Sequence, residues 1–187
     1  MEIEEKINQV AWCRRSSDAL VLLSTNDHTI KLWKVHERVA KTVASVNVET
    51  GRYGGPIAPV SALRMPTLAS AEPQVIATTR RVYGNAHAYH INSISVNSDG
   101  QHFLSADDLR VNLWNLENAR LSFNIVDVKP PTLEELTEVI TSAEFHPTAC
   151  NLFMYGSSRG SIRLADMRAA ALCDSHAKST FVILPGM

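Results

Sequence analysis

The sequence predicts an all-β protein built from about three antiparallel four-stranded units, with one long β-hairpin and a single short helix. Three observations carry this expectation. The stretch Leu104–Trp114, Leu-Ser-Ala-Asp-Asp-Leu-Arg-Val-Asn-Leu-Trp, has a near copy at Leu23–Trp33 and a worn copy at Gly156–Ala165 followed by Asp166. In the two fuller copies an Asp stands three residues after the Ser, a β-branched residue three after that, and Trp three further on. Each copy is preceded by a short segment that aligns without gaps: Ile7–Trp12, Ile91–Val96 and Ile140–Phe145. Alternation such as Ile30, Leu32 and Val111, Leu113 around Lys31 and Asn112 is the signature of half-buried strands.

In chain order, the first unit comprises strands at Ile7–Trp12 and Leu20–Thr25 and a third around Ile30 and Leu32. Asp and Asn suit the tight turn between the last two because their side chains bond nearby backbone amides. Val35–Pro73 follows with four of the eight prolines and the turn signal Gly51-Arg-Tyr-Gly-Gly55. Alternating segments on either side, Thr42–Val48 and Pro59–Met65, predict a projecting hairpin arm. Long insertions in compact folds are usually functional or disordered, so a floppy loop is the alternative to an arm with a partner. The second unit has strands at Ile91–Val96 and His102–Ala106 and a third around Val111 and Leu113, and the third unit has strands at Ile140–Phe145 and Leu152–Ser157 and a third closing the worn copy at Ala165. Unit starts are 84 and 49 residues apart. The second spacing is close to the ~40–45 residues of one propeller blade, and the first exceeds it by the arm. Between the second and third units, Thr132 is placed to N-cap a short helix with Glu134 and Glu135 in its first turn. The pattern is lost from Ser175 to Met187, although Phe181-Val-Ile-Leu184 is strand-like.

Eighteen basic against nineteen acidic residues give no electrostatic basis for nucleic-acid or membrane binding. No apolar run approaches the ~20 residues of a membrane span. The acidic N-terminus does not read as a signal peptide, and three sparse cysteines, Cys13, Cys150 and Cys173, read as reduced thiols in an intracellular protein. His146-x3-Cys150 and Cys173-x2-His176 carry zinc-like spacing. Phe145-His146-Pro147 fits a strand end and His176 lies in the unpatterned tail, so no metal and no cofactor is expected. Asp107 and Asp108 could form an acid–base pair, but turn chemistry accounts for them. No phosphate loop or Gly-x-Ser-x-Gly elbow occurs.

The Ser…Asp…Ile/Val…Trp copies resemble WD40 repeats. Closer still, Tyr-His-Ile-Asn-Ser-Ile-Ser-Val-Asn-Ser-Asp (89–99), Ser-Ala-Asp-Asp-Leu-Arg (105–110), Glu-Phe-His-Pro (144–147) and Asp-Met-Arg-Ala (166–169) resemble the WD-repeat B-type regulatory subunits of protein phosphatase 2A. The resemblance covers roughly residues 2–178 and weakens within the arm. It implies a partial propeller over 1–178: blade one at about 1–34, the arm at 35–74, blade two at about 75–126 and blade three at about 127–172, with a divergent tail at 179–187. The family's ring has about seven blades, more than three can close.

The resemblance further implies a non-catalytic subunit, cytoplasmic with the nucleus as second location. It would dock on the phosphatase scaffold (A) subunit, next to the catalytic (C) subunit, to recruit phosphoproteins with basic segments. Scaffold contact would fall on the arm, including Val43, Val46, Tyr53, Leu63 and Met65. Substrate contact would fall on Glu2, Glu4, Glu5, Asp107, Asp108, Leu136 and Tyr89. His87, Ser105, Asp108 and Trp114 would form the family's buried hydrogen-bond tetrad. In blade one Ile3 stands at the tetrad His position, and in blade three Leu136 and Arg159 replace His and Asp. A generic WD-repeat adaptor or a truncated product without phosphatase binding is the alternative.

Overall fold

The computed structural model describes residues 6–13, 19–43, 65–85, 87–173 and 179–182. Twelve strands form three four-stranded antiparallel sheets among the described residues. The first contains β1 (Gln9–Trp12), β2 (Leu20–Thr25), β3 (Ile30–Val43) and β4 (Leu68–Tyr83). The second contains β5 (Ser93–Val96), β6 (His102–Ala106), β7 (Arg110–Asn115) and β8 (Asn118–Asp127). The third contains β9 (Ile140–Phe145), β10 (Leu152–Ser157), β11 (Ser161–Asp166) and β12 (Ser179–Val182). Each sheet is a meander in which sequence neighbours pair.

Period-two patterning decides where the core lies. In β6, Phe103 and Leu104 are both 0% exposed but face opposite sides of the sheet. Phe103 joins Trp114, Tyr83, Leu23, Ile30, Leu32 and Ile94 in a cluster between the first and second sheets. Leu104 joins Ala106, Val111 and Val126 with Phe145, Phe153 and Tyr155 in a cluster between the second and third. The middle sheet is therefore covered on both faces. The outer two each leave one face open: Val10 and Trp12 on the first, and Met154, Ile162 and Phe181 on the third, are exposed.

A polar ladder runs alongside the apolar clusters. The Ser93 and Ser95 hydroxyl oxygens on β5 accept the Ala143 and Phe145 amides of β9, each at 3.0 Å. One blade earlier, Gln9 Oε1 accepts the Ile94 amide. Gln9 and Ser93 occupy the same position of the repeat, as do Ile94 and Ala143, so one device is used twice. Asn8 and Asn92, again equivalent, donate through Nδ2 to the carbonyls of Ile91 and Ile140 at 3.3 and 2.7 Å. The Ile91 and Ile140 amides in turn donate to the carbonyls of Asp27 and Asp108.

Several expectations need correction. The tail is not wholly without structure: Ser179–Val182 pairs with Ser161–Leu164 and completes the third sheet. The boundary at residue 74 falls inside β4, which belongs to the first sheet rather than the second. The helix is one 3-10 turn, Leu133–Glu135, and Thr132 sits at its N-cap without a side-chain bond. The second structural unit, Val35–Ala77, holds the distal parts of β3 and β4. Thr42 donates there to the Ala69 carbonyl at 3.5 Å. Val46, Tyr53 and Leu63 lie outside the described residues.

Candidate functional site

The β6–β7 turn carries a buried polar network. Asp107 Oδ1 accepts the amides of Leu109 and Arg110 at 2.8 and 2.7 Å, closing the turn. Asp107 Oδ2 lies 2.8 Å from His87 Nδ1, and His87 Nε2 lies 2.6 Å from Ser105 Oγ. Trp114 Nε1 donates to the same Ser105 oxygen at 2.8 Å. A carboxylate only accepts, so the imidazole proton belongs on Nδ1. Hydrogen bonds then run in one direction, Trp114 to Ser105 to His87 to Asp107, and the buried donors in that relay are satisfied.

This corrects the sequence-based assignment. The structure brings His87, Ser105 and Trp114 together, but the fourth member is Asp107 and not Asp108. Asp107 is 1% exposed, so it cannot present its carboxylate to a substrate. The chain resembles a Ser-His-Asp arrangement in its distances alone. Ser105 is 0% exposed, and its oxygen is already held by Trp114. A nucleophile must reach its substrate, so this set joins strands instead.

The other two units carry part of this network or a substitute for it. In the first, Trp33 Nε1 donates to Ser24 Oγ at 2.8 Å. Asn26 takes the position of Asp107, and its amide donates to the Thr29 carbonyl just as that of Asp107 donates to Arg110. Asp27 stands at the rim, where Asn8 Nδ2 donates to it at 3.0 Å and His90 Nδ1 lies 3.3 Å away. The Asn8 hydrogen bond, with help from His90, holds its carboxyl below the usual range. In the third unit an ion pair, Arg163 to Glu138 at 2.6 Å, ties the β8–β9 connection to the sheet.

In a meander, alternate connections share one end. The β2–β3 and β6–β7 turns and the β4–β5 and β8–β9 connections therefore meet at one end of the sheets. That end presents partly exposed Asp108 and Tyr89, exposed Leu136, and exposed Glu134 and Glu135. Asp108, Glu134 and Glu135 pair with no described cation. Glu2, Glu4 and Glu5 lie outside the described residues. Sequence reasoning missed the stacked His28 and His90 rings, 5.6 Å apart, at this same end. Their separation in sequence hid them.

Zinc-like spacing has another explanation. His146 Nδ1 accepts the amides of Thr148 and Ala149 at 3.2 and 2.9 Å, closing the β9–β10 turn. Cys173 is buried, its amide bonded to the Ile125 carbonyl. His176 is outside the described residues. Among the described residues no group of three His, Cys, Asp or Glu could hold a metal ion.

Comparison with known proteins accounts for the architecture. Residues 78–115 match the family described as WD domain, G-beta repeat. That match spans the end of β4 and all of β5–β7, so the sequence repeat is offset from the structural blade. The Cps50 (Swd1) β-propeller domain of Myceliophteria thermophila aligns with a TM-score of 0.53 over 97% of this chain and 40% of its own, at 16% identity. The fold is thus that of a β-propeller segment. The B-type regulatory subunit of protein phosphatase PP2A from Candida tropicalis is 58% identical over 95% of this chain. The same-named protein of Schizosaccharomyces pombe is also 58% identical over 95%. The chain is homologous to part of the PP2A B-type regulatory subunits. It spans 35% and 39% of the length of those two relatives. The three four-stranded sheets are blades of that propeller fold, and the WD-repeat match falls on the end of the first and most of the second.

Proposed function

We propose that the chain acts as a non-catalytic regulatory element of a type 2A serine/threonine phosphatase, docking on the scaffold subunit next to the catalytic subunit and selecting phosphoprotein substrates. The single observation that carries this reading is the 58% identity to two PP2A B-type regulatory subunits across 95% of the chain. The polar network supports it, because the Ser105-His87-Asp107 set is buried and its hydrogen bonds run between strands.

Scaffold contact is assigned to the arm. Val43 and Met65, 55% and 90% exposed, are the described members of that apolar surface. Substrate contact is assigned to the end carrying Asp108, Tyr89, Glu134, Glu135 and Leu136, since a carboxylate-rich surface steers basic segments toward itself. Cytoplasm and nucleus are the proposed locations.

The deciding experiment is a pull-down of the purified chain with phosphatase scaffold subunit, followed by dephosphorylation of a basic phosphopeptide by the assembled core. Scaffold retention that is lost when residues 42–66 are deleted supports the assignment. Retention unaffected by that deletion overturns the arm's role. Absence of any scaffold binding favours a generic WD-repeat adaptor.

A further inference from the structure

A cavity of about 530 Å³ opens between the first and second blades, away from the acidic end and from the tetrad. That volume lies within the ~300–1,000 Å³ range of ligand pockets. Its floor is apolar: Leu32 and Leu116 are 4% and 8% exposed, and Val21 packs on the same cluster. Cys13 shares the lining, and burial pushes its thiol up to about 11, as an apolar surrounding requires.

The rim has the opposite character. Among the described residues, Lys34, Arg80 and Arg81 line the opening against one carboxylate, Glu117. Arg81 pairs with Glu117, whose side chain is 82% exposed, so water screens that pair. Lys34 and Arg80 enter no ion pair among the described residues. A chain of net charge −1 thus keeps a local cationic excess around an apolar floor.

We propose that this inter-blade cavity is a docking site for an acidic peptide segment that inserts one apolar side chain. The floor excludes a simple inorganic anion as the full ligand, because it would leave the apolar surface uncovered. Among the described residues the lining contains no aromatic ring on which a base could stack, which disfavours single-stranded nucleic acid. Carboxylates flanking a leucine or similar side chain satisfy both halves of the cavity. This assignment is independent of the phosphatase reading and concerns a different surface.

The test is fluorescence anisotropy on the full 187-residue chain with a labelled Asp-Glu-Leu-Asp-Glu peptide. Saturable binding is expected, weakened about tenfold when Leu is replaced by Ser, as loss of one buried apolar side chain implies. The double variant Lys34→Glu/Arg80→Glu, with unchanged circular dichroism, should weaken it at least about tenfold. Binding by that variant equal to the unaltered protein, equal binding of Lys-Lys-Leu-Lys-Lys, or preference for an oligothymidine strand overturns the proposal. A second readout needs no variant: the saturating acidic peptide should slow Cys13 alkylation, followed by peptide-resolved mass spectrometry. An unchanged Cys13 rate at saturation overturns the location.

Discussion

The carboxylate of Asp107 and the imidazole of His87 meet at 2.8 Å with both side chains 1% exposed. The pair joins the β4–β5 connection to the β6–β7 turn, so a local turn and a tertiary contact share one side chain. A group in this position is costly to remove, because its partners stay behind in an apolar setting.

Asp107→Ala should therefore destabilise the chain by at least about 1–3 kcal/mol, the cost of one unsatisfied buried donor, because it strands His87 Nδ1 and the amides of Leu109 and Arg110. Asp108→Ala should change stability by less than about 1 kcal/mol, since its contribution to the interface is its backbone carbonyl. Urea denaturation followed by tryptophan fluorescence separates the two. Equal losses would return the tetrad role to Asp108.

The ladder between blades makes a second claim. Ser93→Ala and Ser95→Ala each remove the acceptor of a buried β9 amide, with an expected cost of about 1–3 kcal/mol each. The amides of Ala143 and Phe145 should exchange with deuterium faster in these variants, while the hairpin β6–β7 keeps its protection. Unchanged exchange at both amides would mean the serines do not couple the second and third blades.

Glu138 sets part of the acid limb. Burial opposes its ionisation, but hydrogen bonds with Ser157 and Arg163 and the charges of Arg163 and Arg159 outweigh it and lower its pKa below 4.5. A carboxylate whose folded pKa is depressed stabilises the fold above its unfolded pKa. That contribution is fully present above about pH 4.5 and fades as pH falls through the folded value. Glu138→Gln should make the chain less stable at pH 7 and flatten the loss of stability below about pH 4.5. Parallel acid-denaturation curves for the two proteins would contradict this.

Charge reversal tests the acidic end. Glu134→Lys/Glu135→Lys should weaken association with a basic phosphopeptide by about tenfold at low salt, with a smaller difference at high salt. Both residues are exposed on a 3-10 turn that buries nothing, so thermal stability should hardly change. An unaltered affinity would remove this end from substrate selection.

Much of this architecture is legible in the chain itself. Apolar residues at period two assign Phe103 and Leu104 to opposite faces, and three aligned copies announce three blades. The Ser and Trp of the first two copies mark the hydrogen bond that each makes, Trp33 to Ser24 and Trp114 to Ser105. These are local facts, because strand pleat and turn chemistry depend on neighbours in sequence.

Tertiary structure alone decided the rest. Asp107 and Asp108 are adjacent and chemically identical, and only the position of His87, twenty residues earlier, selects Asp107. Ser179–Val182 lacks the repeat's signature and becomes a strand because β11 offers an open edge. Ser93 and Ser95 look like ordinary solvent-facing positions of a short strand. They become structural only when β9, fifty residues away, brings its unpaired amides against them. Whether a polar side chain meets water or a buried backbone group depends on what the fold packs beside it, and that information is not local.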